Sequence, residues 1–132
     1  MSDFRGTKPD QVPFNRDLGS AAYLPKEVFL PADGGTIKEI TETVHTLTGT
    51  EVNAANGTVQ VLVLADAITL TAALASGQSV TLLIDNGDTH TVTWPAGVLW
   101  VGGVEPTLTE KSLVTLRKIG SDLIGVAGVG IG

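Results

Sequence analysis

His45 and His90 are the only histidines in the chain, and imidazole nitrogens are the first candidates for metal chemistry. A zinc site needs three or four nitrogen, sulfur or oxygen ligands at defined spacing. Two separated histidines in threonine-rich runs, in a chain without cysteine, do not supply that set. Asp85 and Asp88, with Asn86-Gly87 between them, place oxygen ligands close together, as a calcium loop does. The segment then runs into Thr89-His90-Thr91-Val92 where such a loop would need a distal glutamate, so Asp and Asn read more simply as turn formers. No Gly-x-Ser-x-Gly elbow offers a serine nucleophile, and no glycine loop leads into Lys-Ser or Lys-Thr to cradle phosphate. Trp94 and Trp100 remain. They flank Pro95 and could form a sugar-stacking platform, an interface anchor or core, Trp94 sharing the parity of Val80 and Leu82. The expectation is no enzyme, no cofactor and no metal.

The elements that would position these groups follow from composition. The 132 residues are 42% hydrophobic and 17% charged, with 16 glycines and a mean hydropathy of +0.26, which suits one small domain of short strands and tight turns. Without disulfides, burial or association must stabilise it. Apolar runs such as Val61 to Ala65 are too short to span a bilayer, which needs about 20 residues. The N-terminus is polar and lacks the apolar core of a secretory signal, so residence in a cytoplasm is expected. The net charge of −6 is concentrated after residue 35, and an acidic body repels phosphate backbones. Neither nucleic acid nor membrane is an expected partner.

Pro9, Pro13, Pro25 and Pro31, together with four glycines, exclude a long helix or central strand from residues 1–35, which read as an extended arm with one helical turn near Asn15 to Tyr23. Phe4, Arg5, Pro13, Phe14, Leu18 and Tyr23 are the candidate anchors there, because rings without a local core need pockets on another surface. Residues 36–132 read as nine short strands, at 37–47, 50–53, 58–64, 67–71, 79–85, 89–94, 97–101, 112–118 and 122–127, separated by Gly, Asn and Asp. That spacing predicts an all-β, β-sandwich or jelly-roll-like domain behind the extended N-terminal arm. Within it, the shared parity of Val80, Leu82 and Ile84 with His90, Val92 and Trp94 predicts an antiparallel hairpin around a three-residue bulged loop, Asp85-Asn86-Gly87, with Gly87 left-handed and Leu82 opposite His90. The apolar tail through Val129 and Ile131 either closes the sheet or meets a neighbouring subunit, and with Trp100 it completes the candidate interface residues.

Two segments resemble known proteins. Gln11-Val12-Pro13-Phe14-Asn15, Leu18-Gly19 and Ala21-Ala22-Tyr23 resemble a short motif of tailed-bacteriophage virion proteins. The run from Gln78-Ser79-Val80-Thr81-Leu82 through Ile84-Asp85-Asn86-Gly87, Thr93-Trp94-Pro95, Trp100-Val101-Gly102-Gly103 and Pro106-Thr107-Leu108 to Lys118-Ile119-Gly120-Ser121-Asp122-Leu123-Ile124-Gly125 resembles a β module of phage tail-fibre and minor structural proteins. The likenesses cover roughly half of the chain and leave residues 24–77 unmatched. They imply a virion structural protein assembled in the host cytoplasm, a homotrimer, with other capsid or tail subunits as partners and no catalytic residues. The shortness of the chain favours a capsid decoration, or cement, protein. A short tail fibre or baseplate protein, or a host-surface glycan-binding module, is the alternative.

Overall fold

The structure, a computed structural model, describes residues 33–132. By its contacts the chain divides into two units, Met1–Glu39 and Ile40–Gly132. Residues 33–39, the described part of the first, are exposed turn and coil, and every described strand belongs to the second. The predicted helical turn near Asn15 to Tyr23 lies outside the described residues.

Ten strands follow in order: β1 (Val44–Thr46), β2 (Glu51–Asn53), β3 (Val59–Val63), β4 (Ile68–Thr69), β5 (Thr71–Ala73), β6 (Ser79–Asp85), β7 (Val92–Thr93), β8 (Val98–Trp100), β9 (Lys111–Ile119) and β10 (Asp122–Val129). The chain winds rather than folding back. β1, β3 and β6 stack in parallel, with Val44 beside Val59 and Val59 beside Thr81. On other sides of the coil, β2 lies parallel to β5 and β4 to β7. This is a β-solenoid-like stack, and it corrects the expected sandwich or jelly roll: most strands stand close to where the sequence puts them, although only Val44–Thr46 of the expected 37–47 is strand and 67–71 divides between β4 and β5, but their partners are one coil away instead of one turn away.

The predicted hairpin is the particular error. β6 pairs with β3 on one side and with β9 on the other, and residues 89–94 turn away to build β7. Asn86, not Gly87, takes the left-handed conformation, at φ 66°. The N–H groups of Asn86 and Gly87 both donate to Glu110 O, and Asn86 Nδ2 donates to Leu64 O at 3.0 Å. Asn-Gly therefore makes a corner of the coil, using the same tolerance for positive φ that recommends it for a hairpin.

β9 and β10 close the stack with a true hairpin. Ile119 pairs with Asp122, and Gly120 at φ 61° is the first residue of a two-residue loop, the position that a type II′ turn reserves for glycine. β8 adds in parallel to the far side of β10, giving a six-stranded sheet in the order β1-β3-β6-β9-β10-β8.

Strict alternation sorts this sheet's side chains. Val80, Leu82 and Ile84 of β6 and Ser112, Val114 and Leu116 of β9 point inward and are fully buried. Leu62 of β3 joins them, and Leu64, Leu70, Val52, Val92 and Trp94 complete the core beyond this sheet. Gln60 joins Ser112 as a polar member of the interior. Its Nε2 donates to both Asn53 O and Gly57 O at 2.9 Å, which fastens the 3-10 turn Ala54–Asn56 between β2 and β3. Gln60 Oε1 is buried without a partner. Exchanging the amide's two ends would bring an oxygen against two carbonyls, so this orientation is the better one even with an orphaned acceptor.

Candidate functional site

The coil separates the groups that could have formed a reactive cluster. His45 is on β1, inward beside Gln60, whereas His90 follows the Asn86 corner and donates its backbone N–H to Asn86 O. Among the described residues no three His, Cys, Asp or Glu side chains gather as a metal would require. At the corner, Asp85 Oδ1 lies 3.2 Å from Lys111 Nζ and the Asn86 amide is committed to Leu64 O. Both groups are occupied in holding strands together, which leaves the expected turn role for this segment.

The tryptophans also serve the interior. Trp94 is 8% exposed, and its ring meets that of Trp100 edge to face, with centroids 5.1 Å apart and planes at 75°. Trp100 points inward from β8 across Gly125, where a Cβ would stand 2.5 Å from ring atoms Cε3 and Cζ3. A sugar platform needs an open ring face, and Trp94 does not present one. Beside this pair a cleft of about 370 Å³ is bordered by Asp88, His90, Trp94, Glu105 and Leu108. Leu108 packs directly on Gly87, and the cleft's two carboxylates, on Asp88 and Glu105, belong to exposed residues.

Of the other candidate interface residues, Val129 is 47% exposed on the inward side of β10 beyond the core, paired with Ser112, and Ile131 is 42% exposed with its N–H donating to Lys111 O. Thr109 Oγ1 accepts the Gly130 N–H at 2.7 Å, so the tail is tied to the sheet through both backbone and side chain. Phe4, Arg5, Pro13, Phe14, Leu18 and Tyr23 lie outside the described residues.

What the sequence reading missed is the outer side of the large sheet. Val61, Leu83 and Leu113 form one row across β3, β6 and β9. Val63, Val126 and Leu99, at 57%, 49% and 53% exposed, extend it along and across the strands. At its centre Thr81 Oγ1 and Thr115 Oγ1 hydrogen bond to each other at 3.1 Å. No single strand announces it: the outward positions are apolar throughout β3, at Val59, Val61 and Val63, but mixed in β6, at Ser79, Thr81, Leu83 and Asp85, and in β9, at Lys111, Leu113, Thr115, Arg117 and Ile119.

No family model, curated protein sequence or solved structure matches this chain.

Proposed function

We propose that the chain is a structural subunit of a tailed-bacteriophage particle, most economically a capsid decoration protein, assembled in the host cytoplasm, that docks on capsid subunits through residues 1–35 and reinforces the shell. The supporting observation is the use made of the residues that carry the resemblance. Trp94 and Trp100 pack on each other, Gly120-Ser121 turns the closing hairpin, Gly125 admits the Trp100 ring and Asn86-Gly87 turns a corner. Each builds the scaffold. A protein whose distinctive residues serve shape and whose large sheet exposes a row of apolar side chains acts by contact.

Copy number and position on labelled particles test the reading. Hundreds of copies spread over the shell are expected. About a dozen at a single vertex would transfer the proposal to a short tail fibre or baseplate protein, and total absence from purified particles would end it. Deleting residues 1–30 is expected to abolish incorporation, and a truncated chain that still loads would refute the docking role of the arm.

A further inference from the structure

The outer side of the six-stranded sheet is the part of the molecule whose chemistry the fold does not consume. We propose that it is a self-association surface, packing against the same surface of a second copy of the chain. Three observations point to this occupant rather than another.

The first is area. Each outward side chain of a sheet covers about 32 Å², from a strand spacing near 4.8 Å and a two-residue repeat near 6.7 Å. About twenty such positions make a surface of roughly 600 Å², and two of them pressed together bury about 1,200 Å², the size at which specific protein interfaces begin. About half of these positions are apolar, among them Val61, Val63, Leu83, Leu99, Leu113 and Val126, and exposed apolar clusters of this kind mark contact sites.

The second is charge. The chain carries a net −6, yet the ionic groups on this side are Asp85, Lys111, Arg117 and Asp122, two of each sign, with Asp85 and Lys111 already joined. Two acidic bodies repel across most of their surfaces. A sign-balanced side is where like-charged copies can approach, whereas a polyanion or a strongly basic partner would find no matching field there.

The third is polarity. The Thr81 and Thr115 hydroxyls at the centre share a hydrogen bond within the chain, which satisfies one of their two donors. Covering them therefore strands fewer hydrogen-bonding groups than covering hydrated ones would.

β10 supplies an internal control. Val126 and Val129 have nearly equal exposure, 49% and 47%, but Val126 lies beside Thr115 on the outer side and Val129 beside Ser112 on the inner side. The experiment is sedimentation equilibrium of the full chain and its variants. The wild-type chain is expected at a multiple of its 13.6 kDa mass in the micromolar range. Val126→Lys and, independently, Leu113→Lys are expected to raise the dissociation constant at least about tenfold, as burying an unpaired charge at an interface centre does, while Val129→Lys leaves it unchanged. Unaltered tryptophan fluorescence certifies each fold, and Val63→Lys replaces any variant that fails this check. A wild-type chain that stays at single-chain mass up to about 100 µM, a concentration at which even weak homodimers form, overturns the inference. So does dissociation by Val129→Lys but not by Val126→Lys, and so does a monomer that uses this side to hold a capsid protein. The particle reading is separate: a monomeric chain found on purified particles would remove self-association and leave docking standing.

Discussion

Gly125→Ala turns the Trp100 contact into a measurement whose sign is informative. In an ordinary strand interior, replacing glycine by alanine stabilises by about 0.5–1 kcal/mol, because the unfolded chain loses conformational freedom. Here the added Cβ would stand 2.5 Å from Trp100 Cε3 and Cζ3 and 3.0 Å from Cη2. Ordinary carbon contacts lie at about 3.5–4.0 Å, so the ring must retreat by about 1 Å. It cannot retreat freely, because its partner Trp94 is 8% exposed and packed in the core. β10 cannot yield freely either, since Gly125 pairs with Leu116 on one side and with Trp100's own backbone on the other. Overpacking of this kind costs about 1–3 kcal/mol, which exceeds the entropic gain and leaves a net destabilisation of about 1–2 kcal/mol. In a domain of this size that lowers Tm by about 5–10 °C. Chemical denaturation followed by tryptophan fluorescence, at one fixed protein concentration, reads the effect. The second arm places Gly125→Ala in a Trp100→Leu background, where the clash has no ring to meet and the cost should disappear, giving a coupling of at least about 1 kcal/mol. A neutral or stabilising Gly125→Ala, or an equal cost in both backgrounds, would falsify the packing described for β8 on β10.

Gln60→Glu places a carboxyl where the side chain is fully buried and faces two carbonyls, so the protonated form is the one the fold accepts. The variant's folded-state pKa is then raised above its unfolded value. Its stability deficit relative to wild type should be smallest below about pH 4.3 and grow as pH rises through the folded value, and denaturation midpoints that differ from wild type by the same amount at pH 4 and pH 7 would contradict this. Asn86→Ala loses both the bond to Leu64 O and a side chain tolerant of φ 66°, and is expected to cost about 1–3 kcal/mol. Asn86→Gly keeps the backbone conformation and should cost about 1 kcal/mol less. Thermal melts that rank alanine above glycine would show that the corner does not depend on the left-handed residue.

Strand positions were largely readable and strand partners were not. β6 and β2 stand where alternation and punctuation place them, and β9 and β10 are each within two residues. The parity shared by residues 80–84 and 90–94 was also real, since Val80, Leu82, Ile84, Val92 and Trp94 are all buried. That parity is equally satisfied by one coil turning through a corner, and nothing in a two-residue signal such as Asn86-Gly87 distinguishes a reversal from a corner. The coil hides its repeat because the rungs are unequal: the chain returns from Val44 to Val59, then from Val59 to Thr81, and on other sides from Glu51 to Thr71 and from Ile68 to Val92. Without a fixed period there is no self-similarity to detect. The outer apolar side was illegible for the same reason, since Val61, Leu83 and Leu113 become one row only when β3, β6 and β9 are known to be neighbours. The arm anchors read from the sequence lie outside the described residues.

Unequal rungs carry a practical consequence for protein engineering. Register in the ladders is held by inward alternation and by bonds such as Leu64 N–H to Asp85 O, not by the number of residues spent at each corner. Exposed corners such as Ala65-Asp66-Ala67 should therefore accept foreign peptides, each doubling of corner length costing only about 0.6 kcal/mol in closure entropy. The chain is thus a scaffold on which epitopes can be displayed at chosen heights along the stack without resetting the strands above or below them.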